Sequence, residues 1–220
     1  MSGAWVLIIL VTVSSIPVVA IYFWFRAEKL QISLARFMFA LLAGAAAFFP
    51  ALIIQELLLF STVTHGRMAL FYEFFVRIAL SEELSRLLML FIFFWISARL
   101  KPGEQQGAAI GLVAGLGFAI LESAALSASD IGIKIVLLRF FTAALHGACG
   151  SRIGSAAVLF RTNPIQALMR IVTATAIHGV YNLLVIQPGI QPLIAILIAL
   201  SALTTAILTI RRVDKTGETT

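Results

Sequence analysis

The sequence of 220 residues contains one cysteine, Cys149, and that residue falls inside an apolar run. A single thiol excludes both an intramolecular disulfide framework and a thiolate metal centre. Charge is scarce too: 12% of residues are charged, against roughly 25% in a soluble globular domain. The chain has no HExxH helix signature, no internal repeat and no low-complexity run, and no basic residue precedes its first apolar segment. The last absence is the reverse of a cleavable signal peptide, so the first segment is expected to remain as a helix. What the sequence has instead is apolar residues, which make up 61% of it. Seven apolar stretches of about 21 residues account for about 147 positions and leave too few for a folded extramembrane domain. The expected class is therefore all-α, a polytopic transmembrane helix bundle, with residues 1–220 forming one integral membrane domain.

The expected spans are Ala4–Phe25, Ile32–Phe60, Leu70–Ala98, Gly107–Ala128, Lys134–Phe160, Gln166–Gln187 and Gly189–Ile210. Pro50 removes a backbone donor from the second span and predicts a kink near Phe49. Basic residues set the orientation. One side receives Arg26, Lys29, Arg99, Lys101, Arg161, Arg211, Arg212 and Lys215, and the other mainly Arg67 and Lys134. That bias places the N-terminus outside and the C-terminus inside, which fits an odd number of spans. The net charge of +6 thus sits at segment ends and does not imply nucleic acid.

Ionisable groups inside such spans each cost about 2.5–3.5 kcal/mol on insertion scales, so each needs a partner or a use. Glu82, Glu83, His146 and His178 fall at similar depths on the third, fifth and sixth spans, and Glu122 lies nearer the outer face on the fourth. Five such groups from four helices can converge on one cavity in the outer half of the membrane. Helical spacing supports this: Glu82 with Arg86 and His178 with Asn182 are four apart, and Arg139, Thr142 and His146 share a face. Gly107, Gly111 and Gly115 form a stripe for close helix packing, and Glu122 continues nearly the same face. Glu73 and Arg77, also four apart, are read as a loop-proximal pair and Glu56 as a solvated group, without functional roles. A carboxylate beside neutral imidazoles can polarise water, and an imidazole with an amide can stabilise an oxyanion, which is the equipment for amide hydrolysis. Two histidines and a carboxylate also suit zinc with an open position. A different class, a proton-coupled transporter or channel, would use Glu82, Glu122 and His178 as a relay; the lack of an inverted repeat counts against it.

The segments Ser81-Glu82-Glu83-Leu84-Ser85-Arg86 and Gly117-Phe118-Ala119-Ile120-Leu121-Glu122, the run from Arg139 to His146, and His178-Gly179-Val180-Tyr181-Asn182 occur in that order on separate helices. Together they resemble the motifs of PrsW-type intramembrane proteases, a family grouped with the CAAX prenyl endopeptidases and bacterial CPBP proteins. Arg86 stands where the family commonly has lysine, and Ser123 where asparagine often follows the second of these motifs. The resemblance implies a catalytic core at about residues 70–187, with Glu82, Glu83, Glu122, His146, His178 and Asn182 forming the site. Glu82 and Glu83 would carry the essential acid or base, and Glu122 would take the place of a histidine of the CAAX branch. Zinc, if used, would be held by Glu122, His146 and His178. The implied substrate is a membrane-anchored protein, such as an anti-sigma factor, cut within the lipid bilayer of a prokaryotic plasma membrane. A catalytically silent scaffold of the same fold is the third reading, and the intact acidic and histidine positions argue against it.

Overall fold

The computed structural model describes residues 3–28, 30, 32–59, 66–97, 102–125 and 133–217, and these fold as helices without strands. In chain order the elements are α1 (Gly3–Ala27), α2 (Leu34–Ala46), α3 (Phe48–Leu59), α4 (Arg67–Phe71), a π-helix (Tyr72–Leu80), α5 (Ser81–Ile96), α6 (Glu104–Ala125), α7 (Ile133–Leu159), α8 (Pro164–Val185) and α9 (Gln191–Gly217). Among the described residues five stretches are long and apolar enough to cross a membrane: Ala4–Ala27, Leu34–Leu59, Glu104–Ala125, Pro164–Val185 and Gln191–Arg211. The other two expected spans are also helical, over α4 to α5 and over α7, but they carry the ionisable residues. The chain is a multi-pass membrane protein. Of the basic residues used for orientation, Lys29, Arg99 and Lys101, with the side chains of Lys134, Arg212 and Lys215, lie outside the described residues, as do the expected span ends at Phe60, Ala98 and Ala128.

The second span breaks between α2 and α3 at Ala47, slightly before the expected kink. The reason is the reach of Pro50: its ring clashes with the carbonyl four residues earlier, at Ala46, and it has no N–H to donate there. Ala47 meanwhile donates to the carbonyls of Ala43 at 3.0 Å and Gly44 at 3.1 Å, which tightens the turn. At the other end of this span the Ser33 side chain accepts from the Arg36 N–H and caps α2.

Helix α6 is the axis of the bundle, with 72% of its apolar window buried against 22–28% for the other four spans. Small residues make this possible on two sides. A Cβ at Gly107 would meet the Gly154 carbonyl oxygen at 2.8 Å, at Gly111 the Gly150 oxygen at 2.1 Å, and at Gly115 the His146 oxygen at 1.9 Å. The backbones of α6 and α7 therefore touch along their length, and α7 supplies its own small residues, Gly150 and Gly154, to the contact. On the opposite side Gly117 abuts Leu41 and Gly44 abuts Ala114, which presses α2 closely against α6.

The π-helix enters from the α3 end, where the Tyr72 hydroxyl donates to the Leu58 carbonyl at 3.2 Å. It is nine residues long and delivers the chain directly into Ser81, the first residue of α5. Single-turn π segments inside helices are frequent at functional sites, because widening the turn re-aims the residues that follow. Here Glu82 and Glu83 follow. Gly179 allows the π-helix to lie against α8, since a Cβ there would sit 2.5 Å from the Phe75 ring.

Candidate active site

Four helices bring the ionisable groups together. Glu82, Glu83 and Arg86 project from the first turns of α5, Glu122 from the end of α6, Arg139, Thr142 and His146 from α7, and His178 from α8. Glu83, Arg86, His146 and His178 are all at most 1% exposed, and Glu82 is 5% exposed. The two imidazoles meet edge to face, with ring centroids 4.9 Å apart.

Arg86 lies at the base of this chamber. Its Nη2 donates to Glu83 Oε1 at 2.7 Å, and lies 3.6 Å from Glu82 Oε2. Its Nη1 reaches the His146 carbonyl oxygen at 3.4 Å, and its guanidinium stacks over the Phe118 ring at 4.8 Å. The i,i+4 spacing suggests Glu82 as the partner of Arg86, yet the shorter ion pair is the i,i+3 one with Glu83. Helical geometry permits both, and burial of Glu83 on all sides favours giving it the counter-ion.

Each histidine is held by a different carboxylate. Glu83 Oε1 lies 2.9 Å from His178 Nδ1, and Glu122 Oε2 lies 3.0 Å from His146 Nε2. An ionised carboxylate only accepts hydrogen bonds, so His178 donates from Nδ1 and His146 from Nε2. That leaves a lone pair on His178 Nε2 and one on His146 Nδ1. Glu82 is restrained in the same manner: Gln55 Nε2 of α3 donates to its Oε1 at 3.2 Å, so Oε2 is left over, 3.6 Å from His178 Nε2. Glu82 Oε2, Glu83 Oε2 and His146 Nδ1 are buried and have no hydrogen-bond partner. Orphaned acceptors in a dry interior are costly unless a ligand completes them.

Glu82, His146 and His178 each offer a ligand atom within 4.8 Å of those of the other two. This cluster fits a divalent ion by donor chemistry, two neutral imidazoles and one carboxylate, with carboxylates behind both histidines in the arrangement that fixes tautomer and ring orientation at metal sites. It differs from the expected ligand set in its carboxylate. Glu122 instead occupies the outer side of His146, 20% exposed, and pairs with Arg139 at 3.5 Å. The close contact of α6 with α7 brings Glu122 level with Arg139 and His146, while Glu82, just after the π-helix, reaches the side of His178.

Asn182 sits one turn beyond His178 on α8, half-buried, and makes no hydrogen bond among the described residues. Between them Tyr181 is buried and its hydroxyl shares a 2.8 Å hydrogen bond with Thr142, which ties α8 to α7 behind the imidazoles. Glu73 and Arg77 form the expected pair, with contacts of 2.6 and 2.7 Å, outside the chamber. Cys149 is buried in the core, its thiol directed to the Ala174 carbonyl. Sequence reasoning overlooked Gln55 and Phe118. Gln55 had a usable signal, as an amide beside Glu56 in an otherwise apolar run, whereas Phe118, though inside one of the motif segments, carries no polar group to mark it.

The family described as PrsW family intramembrane metalloprotease matches residues 33–208, which include every residue of the chamber. No curated protein and no solved structure matches the chain. The chain belongs to the PrsW family and is an intramembrane protease.

Proposed function

We propose that the chain hydrolyses a peptide bond of a single-span, membrane-anchored protein in the outer half of the bilayer, with zinc held by Glu82, His146 and His178. The observation that carries this reading is the set of leftover acceptors: Glu82 Oε2 and His146 Nδ1 are buried and unpartnered, and His178 Nε2 faces the first of them. Zinc, when bound, supplies Lewis acidity toward a water and a carbonyl oxygen. The chain's own residues do the rest. Gln55, Glu83 and Glu122 hold Glu82, His178 and His146 in the orientation that presents those acceptors to a common point. Glu83 has a second oxygen, Oε2, that neither Arg86 nor His178 uses. We assign to it the proton of the attacking water, and then the delivery of that proton to the departing amine as the C–N bond breaks. Asn182 is assigned to the oxyanion, since its amide has no structural partner to lose by turning to a substrate. Arg86 keeps Glu83 ionised and fixed, and so acts through it.

An anti-sigma factor anchored in a prokaryotic plasma membrane is the substrate class we favour, with the N-terminus of the protease outside and its C-terminus inside. The decisive measurement uses purified protein in vesicles with a single-span reporter, and follows reporter cleavage and proton flux together. The native chain is expected to cleave without flux, and Glu82→Gln to lose at least about 10³-fold in rate with an unchanged melting temperature. Flux that depends on Glu82, without cleavage, would replace the protease by the transporter reading.

A further inference from the structure

A second polar site lies on the other half of α7. Six residues beyond His146, Arg152 projects between α7, α8 and α9 into a narrow cleft lined with Ser151, Ser155, Arg170, Ala206 and Thr209. Arg152 donates to the carbonyls of Ala148 at 2.9 Å and Ala202 at 3.5 Å, and to Thr205 Oγ1 at 2.7 Å. All three acceptors are neutral. No carboxylate pairs with Arg152 among the described residues, although Arg170, across the cleft, is paired with Glu104 at 3.0 Å. Among the described residues the cleft thus holds two guanidinium groups against one carboxylate.

Two further groups point to what is missing. Ser151 is 3% exposed and Ser155 1% exposed, both line the cleft, and neither hydroxyl makes a hydrogen bond among the described residues. Elsewhere in these helices serine and threonine hydroxyls commonly bond back to a carbonyl one turn earlier, as Thr142, Thr173 and Thr204 do. Ser151 and Ser155 forgo that option and leave two donors beside an unneutralised guanidinium. A half-buried guanidinium without a carboxylate partner, beside two free hydroxyls, asks for an acceptor-rich anion, and the planar fork of arginine suits phosphate oxygens in particular.

The position agrees with the membrane level of such a group. Arg152 lies about 10 Å of helical rise before the end of α7 and Arg170 about 9 Å after the start of α8, so both sit just inside the turn that joins these helices. Gln105, in the first turn of α6, donates to the Ile210 carbonyl at 3.0 Å and places the adjacent part of α9 at the same level. By the charge bias of the loops this is the inner end of the bundle, where basic clefts between helices can receive anionic lipid headgroups.

We infer that the cleft between α7, α8 and α9 is a phosphate-binding site, built from Arg152, Ser151 and Ser155 with Arg170 at its rim, and that it is separate from the hydrolytic chamber. The site takes a phosphate group, carried by an anionic lipid headgroup or free in solution. Detergent-purified, delipidated full-length protein is titrated with phosphatidic acid in mixed micelles, and in parallel with inorganic phosphate, while the melting temperature is followed. The expected result is a saturable rise with phosphatidic acid. A matching rise with inorganic phosphate identifies the phosphate group alone as the ligand, and its absence identifies the lipid as the source. Arg152→Gln is expected to weaken the half-saturating concentration at least about tenfold. Because that substitution also removes contacts to α9, the double variant Ser151→Ala, Ser155→Ala provides the cleaner comparison, since neither hydroxyl has a protein partner to lose. It should retain the native melting temperature without ligand and bind several-fold more weakly. No saturable rise in either titration, or equal affinity in the native chain and both variants, overturns the inference.

Discussion

The chamber around His146, at the middle of α7, and the cleft around Arg152, two turns further on, leave different kinds of groups uncommitted. In the chamber Arg86 faces two carboxylates, Arg139 pairs with a third, and the orphans are acceptors on Glu82, Glu83 and His146. In the cleft the guanidinium of Arg152 faces only neutral oxygens, and the uncommitted groups are the hydroxyls of Ser151 and Ser155. The first pattern calls for a cation and the second for an anion. In a membrane protein the sign and type of the uncommitted groups therefore bear on the ligand more directly than the depth or the residue count does.

The largest expected effect separates the two regions by their ligands. Stripping the protein with a strong chelator should reduce reporter cleavage at least about 10³-fold, with recovery on adding zinc, and leave phosphatidic acid binding at the cleft unchanged. Zinc at about 100 times its dissociation constant should also raise the stability of the native chain by about 2.7 kcal/mol, a rise absent in the His178→Ala variant. Full activity in protein verified as metal-free would instead leave Glu82 to activate the water without an ion.

Within the chamber, Asn182 tests whether a half-buried group without partners acts only in the transition state. Asn182→Ala should slow turnover by about 10²–10³ with little change in reporter affinity or melting temperature. A large fall in melting temperature with a normal rate would make it a structural residue. Between the two regions, Gly111→Ala tests the backbone contact that holds α6 on α7. Its Cβ would approach the Gly150 oxygen to 2.1 Å, so the helices must separate, at an expected cost of about 1–3 kcal/mol seen as a lower melting temperature. Gly103→Ala, with nothing within 4 Å, is the control and should not differ from the native chain. The smallest effect is expected outside both regions. Glu73→Gln breaks a partly exposed ion pair with Arg77 and should change cleavage by less than about twofold. A loss comparable to that of Glu82→Gln would mean that the cleavage assay reports stability.

Much of this architecture was legible before the structure. Five of the seven expected spans, the break associated with Pro50, the pairing of Glu73 with Arg77 and the packing role of Gly107, Gly111 and Gly115 follow from length, hydropathy and helical spacing, which are local properties of the chain. So does the membership of the chamber, because an ionisable residue in hydrocarbon is conspicuous and five at comparable depth point to one cavity. The pairing inside it was not legible. Glu82 and Glu83 are adjacent, and nothing in the sequence says which one Arg86 neutralises, nor that Gln55 from another helix restrains the one left over. The cleft around Arg152 was overlooked for the same reason: a lone arginine near a helix end reads as a snorkelling charge until its neighbours show that none is acidic.

What the sequence alone determined is thus the one-dimensional part of the problem: which stretches are helical, which residues violate the apolar pattern, and which of those share a helix face. Burial in lipid makes this part unusually strict, since every span must satisfy its backbone internally. The tertiary structure decided what depends on rotation and on contacts between helices. The chain leaves the π-helix at Ser81 with Glu82 beside His178, and the touching backbones of α6 and α7 carry Glu122 to His146. No spacing rule fixes these placements, because they are set by which glycine or phenylalanine on a neighbouring helix lets the backbone approach.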